Sequence, residues 1–135
     1  MRAYAKSDIP TVNAVVVPDE IMRIRQLIET IYVDPKIENY VLDLVFASRQ
    51  PESFKLSELK PLIQYGASPR ASIYLIKAAR AHAFLRKRGY VVPEDIRAVG
   101  MDVLRHRITV SYEAEAEEVT SEDVITKMFN AIEVP

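Results

Sequence analysis

Tyr65-Gly66-Ala67-Ser68-Pro69-Arg70-Ala71-Ser72 is the stretch whose reading decides the fold. It reads as the start of the longest helix. Ser68 is expected as the N-cap, its hydroxyl accepting from an orphan backbone N–H. Pro69 then falls at N1, where its missing donor costs nothing and its fixed φ suits the helix. Arg70 follows at N2. A cation there is locally unfavourable, because the helix N-terminus already carries partial positive charge. A residue that breaks a local rule at a fixed point is a candidate for function. Two readings of it are open. The helix end and the guanidinium could together face an anion such as a phosphate. Alternatively, Arg70 is solvated, or paired with a carboxylate, on an ordinary capped helix.

Outward from this stretch the chain reads as helices. Pro69 to about Arg88 is one, with Ile73, Ile76, Ala79, Ala83 and Phe84 as its core face and Gly89 as its C′ cap. Residues 50–67 make a long connection. Links above about 12–15 residues are usually functional or disordered. Phe54, Leu56, Leu59, Leu62 and Ile63 argue here for an ordered link with short helical turns. Before it, Pro18 opens a helix with Ile21, Ile24, Ile28 and Ile31 in one stripe. Asp34-Pro35 opens another with Ile37, Tyr40, Val41, Leu44 and Val45 inside. After it, Pro93-Glu94-Asp95 starts a fourth helix, whose cap position Val92 lacks a hydroxyl. Thr120 and Asp123 form a capping-box pattern for a fifth, with Val124, Ile125, Met128, Phe129 and Ile132 inside. Ile108-Thr109-Val110 is a short β-prone piece, and the acidic run Tyr112–Glu118 reads as a solvated face. The expected fold is all-α: a compact five-helix bundle over residues 18–135, with a long ordered loop and at most short β pieces. Residues 1–17 read as an extended leader.

Composition narrows the chemistry. The chain has 135 residues, 49% of them hydrophobic, which suits one domain with a core. Eighteen basic against 19 acidic residues give no electrostatic footprint for nucleic acid. A patch built from Lys77, Arg80, Arg86, Lys87, Arg88, Arg105 and Arg107 is the feature that would favour it, and nucleic acid is not expected as a partner. No cysteine occurs, so disulfides and thiolate metal sites are excluded. Two histidines, His82 and His106, are too few for a histidine-built metal site, and no metal ligands are assigned. No run approaches the about 18 apolar residues that span a bilayer. With no signal-peptide pattern, a cytoplasmic protein without a membrane partner is the default.

No catalytic set emerges. His82 lies among alanines with no nucleophile near it in sequence, and His106 sits between arginines at a helix end. Ser48, Ser53, Ser57, Ser68, Ser72 and Ser111 lack the G-x-S-x-G elbow. The carboxylates fall at helix starts and in the acidic run, where capping and solvation account for them.

Several segments in order carry a resemblance. They are Gly66–Ser72 (GASPRAS), Ala78–Arg86 (AARAHAFLR), Gly89–Ile96 (GYVVPEDI) and Asp102–Ile108 (DVLRHRI). Tyr40–Arg49 (YVLDLVFASR), Tyr112–Glu117 (YEAEAE) and the closing Val134-Pro135 extend it to about residues 12–135. Together they resemble the C-terminal helical lid of the MoxR-type AAA+ ATPases, with one departure at Val92, where that family usually has threonine. The resemblance implies that Arg70 is the sensor-2 arginine, which reaches the γ-phosphate of ATP held by a neighbouring α/β core, with Ser68 and Pro69 as the helix cap supporting it. It implies ATP and Mg²⁺ as cofactors of a full-length ATPase, with neither expected on this chain alone, which carries no P-loop. Residues 1–17 would then be a linker from an AAA+ core outside this sequence. The implied partners are that core, the neighbouring subunits of a homo-oligomeric ring, expected as a hexamer, and a von Willebrand factor A domain protein. The implied activity is ATP-driven, chaperone-like remodelling. The alternative is a stand-alone helical interaction module without nucleotide chemistry.

Overall fold

The computed structural model describes residues 12–135. The part of the expected leader in residues 1–11 lies outside the described residues; residues 12–17 are exposed. Six α-helices and two strands occur among the described residues: α1 (Pro18–Glu29), α2 (Pro35–Ala47), β1 (Ile63–Tyr65), α3 (Arg70–Leu85), α4 (Pro93–Leu104), β2 (Thr109–Val110), α5 (Tyr112–Ala116) and α6 (Ser121–Ala131). The chain is the expected helical bundle, with one helix more than the periodicity predicts. The extra helix is α5, in the acidic run. Ser111 caps it, its Oγ accepting from the Ala114 N–H at 3.2 Å, and Ala114 is buried. Its glutamates remain in water.

Local chemistry explains most of the elements. The Asp34 carboxylate accepts from the Lys36 N–H at 2.9 Å ahead of Pro35, and α2 buries Ile37, Tyr40, Val41, Leu44 and Val45 as the spacing predicts. Thr120 and Asp123 close their capping box on α6, whose Val124, Ile125, Met128 and Phe129 are buried. The 48–62 connection is ordered, with 3₁₀ turns at Pro51–Phe54 and Ser57–Leu59 over buried Leu56, Leu59 and Leu62. It ends in β1, which pairs antiparallel with β2, Ile63 opposite Val110 and Tyr65 opposite Thr109, with an irregularity between the two pairs.

α3 and α4 make the most extensive helix pair. The buried stripe of α3 is Ala71, Leu75, Ala79 and Ala83, an i,i+4 row of mostly small residues that brings α4 close. Ile73 lies off that row and is exposed, and Ile76 and Phe84 are half-buried, so the core face is rotated from the expected one. Leu75, fully buried, contributes about 1.5–3 kcal/mol. α3 also ends three residues earlier than expected. Lys87, not Gly89, takes the left-handed conformation (φ 58°). Its N–H bonds the Phe84 carbonyl at 2.8 Å and the Arg88 N–H bonds the Ala83 carbonyl at 3.0 Å, which is a Schellman ending. The Gly89 carbonyl instead accepts from the Tyr32 N–H at 3.0 Å, joining the α1–α2 and α3–α4 links.

α1 departs furthest from its pattern. None of its residues is buried; Ile24 and Ile28 are half-buried and Ile21 and Leu27 are exposed. α1 packs on α3 along part of its surface, and Ile31 enters the core only beyond the helix end.

Candidate functional site

Arg70 is the first residue of α3 and is exposed on the surface. Among the described residues no carboxylate lies within salt-bridge distance of it, so of the two non-functional alternatives only solvation survives. The helix start differs in detail from the expected cap. Pro69 is already helical (φ −54°, ψ −27°) and no side chain caps the helix. The Ser68 hydroxyl does not bond a backbone N–H; the Ser68 carbonyl accepts from Ala71 at 2.8 Å and the Pro69 carbonyl from Ser72 at 3.2 Å. The physical reason is that the segment is held from another side, so its first turn is set without a serine cap. One consequence is chemical. Among the described residues the Arg70 N–H has no acceptor, and it stands at the positive helix end beside its own guanidinium.

What holds the segment is the end of α2. The Ser48 Oγ accepts from the Ala67 N–H at 2.9 Å and donates to the Val45 carbonyl at 2.6 Å. The Arg49 Nη1 donates to the Ala67 carbonyl at 3.3 Å. A Cβ on Gly66 would overlap the Ser48 carbonyl, so the chain passes here only as glycine. Ala67 and Ala71 on either side of Ser68 are fully buried. Residues 66–70 are therefore fixed by β1 behind, α2 beneath and the α3 stripe ahead. Sequence reasoning groups Ser48 with serines that have no catalytic setting. Its partner lies far along the chain, and its only local mark is its place at a helix end before Pro51.

A second polar cluster joins α3 to α4. Asp95 is fully buried, and both its oxygens are used. Oδ1 accepts from the Arg88 Nη2 at 2.5 Å and meets the His82 Nδ1 at 2.6 Å; Oδ2 accepts from the Arg88 Nη1 at 2.8 Å and the Val92 N–H at 2.9 Å. Of the capping and solvation expected for the helix-start carboxylates, Asp95 keeps the capping and loses the solvation. Its bond to the Val92 N–H is the half of a capping box that needs no hydroxyl, which is why Val92 is tolerated as cap. Burial pushes the Asp95 carboxyl up, but Arg88, the Val92 N–H and His82 more than offset it and hold it at about 2. His82 is thus half-buried against Asp95 and is tied into the α3–α4 joint.

The cations suggested for nucleic acid are partly committed. Arg88 is held by Asp95 and Arg105 by Asp102 at 2.5 Å. Arg107 bonds the Val103 carbonyl at 2.5 Å and lies over the Tyr74 ring. Among the described residues no helix is long and apolar enough to cross a membrane.

The relatives fit this arrangement. A family model described as the AAA lid domain matches residues 57–128. The chaperone MoxR1 of Mycobacterium tuberculosis is 36% identical over 126 residues, covering 93% of this chain and 33% of that protein. Protein MoxR of Paracoccus denitrificans is 39% identical over 110 residues, covering 77% of this chain and 32% of its own length. A crystal structure of a candidate ATPase from Cytophaga hutchinsonii superposes with a TM-score of 0.95 at 36% identity, covering 100% of this chain and 41% of that one. The chain spans about a third of the length of the curated relatives it matches. The chain belongs to the AAA lid domain family, and its relatives there are MoxR-type proteins.

Proposed function

We propose that this lid works in a MoxR-type AAA+ ATPase with Arg70 as its sensor-2 arginine, reaching the γ-phosphate of ATP held by the AAA core. The observation that carries this reading is an unpaired guanidinium at an open helix N-terminus, on a segment clamped from three sides. Preorganised donors aimed at changing charge are what phosphoryl transfer needs from a protein. Arg70 and the helix end suit an anion only. Among the described residues no three His, Cys, Asp or Glu side chains gather as metal ligands. Mg²⁺ would therefore be held by the core, where bound ATP and Mg²⁺ supply the phosphoryl group and neutralise its charge. This chain's part is to bind and orient the phosphate end. Nucleotide state then sets the angle between lid and core, a hinge-type switch.

On this reading residues 1–17 link the core to a lid formed by residues 18–135. The protein is cytoplasmic and assembles into a homo-oligomeric ring, a hexamer. Its turnover drives chaperone-like remodelling of partners that include a von Willebrand factor A domain protein. Support for remodelling comes from the chaperone MoxR1. The test is Arg70→Ala in a polypeptide joining this lid to an AAA core. ATP turnover is expected to fall by about tenfold or more, with thermal stability unchanged. Unchanged turnover in the folded variant removes the sensor role.

A further inference from the structure

Ser48 is a buried hydroxyl at the C-cap of α2, outside any catalytic set. Its bond to the Val45 carbonyl is the ordinary back-bond of a serine at a helix end and uses its one hydrogen. The acceptor side is what stands out. It takes the Ala67 N–H, which belongs to neither β1 nor α3 and has no other acceptor among the described residues. Arg49, the next residue, takes the Ala67 carbonyl. Both polar groups of one backbone residue, three positions before Arg70, are thus held by the end of α2. Gly66 presses the same segment onto the Ser48 carbonyl, closer than any Cβ would permit.

We infer that Ser48 is a positioning residue for Arg70: its bond to Ala67 sets where the first turn of α3 stands on α2, and so the point from which the guanidinium reaches an anion. The inference rests on the sensor reading of Arg70 for its function, though not for its geometry. The competing account is that the Ala71–Leu75 stripe alone places α3, with Ser48 filling a polar gap. The two accounts differ in the effect of losing the hydroxyl: the first frees the segment at Ala67, the second leaves it in place.

The first measurement uses this chain. Amide exchange at Ala67 is followed by NMR in Ser48→Ala, Ser48→Thr and Ser48→Cys, with circular dichroism checking the fold. Ser48→Ala is expected to speed Ala67 exchange by about tenfold or more while Leu75 and Ala79 keep their rates, because the opening is local. Ser48→Thr keeps the hydroxyl and should stay within about twofold of the parent. If Ser48→Ala does not fold, Ser48→Cys decides, since its thiol fills the same space but is a weak acceptor for the Ala67 N–H. An unchanged Ala67 rate in the folded variant overturns the inference.

The second measurement joins the lid to an AAA core. Ser48→Ala should lower kcat for ATP toward the Arg70→Ala value, Ser48→Thr should restore it, and the double variant should be no slower than Arg70→Ala alone. Additive losses mean that Ser48 acts elsewhere and overturn the inference. Loss in Arg70→Ala without loss in Ser48→Ala sinks only this inference. No loss in Arg70→Ala sinks the sensor reading and takes the positioning role with it.

Discussion

Replacing Asp95 by alanine removes the centre of the joint between α3 and α4. The carboxylate is fully buried and takes two bonds from Arg88, one from His82 and one from the Val92 N–H. Breaking a buried pair from one side costs about 3–5 kcal/mol, because the partner charge is left uncompensated. Here the side chains of Arg88 and His82 are 26% and 24% exposed, so both recover some hydration. The loss should therefore lie near the lower end, about 3 kcal/mol, or about 10 °C in Tm for a domain of this size. Urea unfolding followed by far-UV circular dichroism at pH 7 measures it. A pH series adds a sharper check. The folded-state pKa of Asp95 is lowered from 3.8 to about 2. Its contribution is therefore fully present above pH 3.8 and is lost as pH falls through about 2. The stability gap between parent and Asp95→Ala should be flat from pH 7 to pH 5. It should then narrow by about 2 kcal/mol as the pH approaches 2. The reasoning is refuted by a gap under about 1 kcal/mol at pH 7, below the cost of an uncompensated buried charge. It is refuted equally by a gap that does not narrow below pH 4.

Gly100→Ala should cost about 1–3 kcal/mol, because the new Cβ would overlap the Phe129 ring of α6; a chemical melt within about 0.5 kcal/mol of the parent argues against that contact. Lys87→Gly should raise stability by about 0.5–1 kcal/mol, since Lys87 carries a left-handed φ of 58° that glycine adopts without strain; a lowered Tm contradicts the Schellman ending. Thr120→Ala should cost about 1 kcal/mol through loss of the α6 cap, read by the same melts.

Much of this lid is written locally. Asp34-Pro35, Thr120 with Asp123, and the i,i+3 and i,i+4 apolar residues of α2 and α6 determine those helices and their inner faces, because capping and periodicity act within a few residues. The place of Arg70 at a helix start is local in the same way, as is its conflict with the positive helix end. Tertiary structure decided what depends on distant partners. It chose Ala71 and Leu75 over Ile73 as the inner face of α3, because α4 admits only a narrow row. It buried Asp95, whose sequence position shows only a helix-start capping carboxylate, because Arg88 and His82 arrive from the previous helix and its end. It left the α1 stripe half open, because among the described residues α3 is the one element that packs on it to any extent. It also replaced the expected Ser68 cap with a hold from Ser48 and Arg49. A hydrogen bond between residues far apart in sequence leaves no mark on either neighbourhood, so the rule-breaking arginine stands out in the sequence while the hold on Ala67, three residues before it, does not.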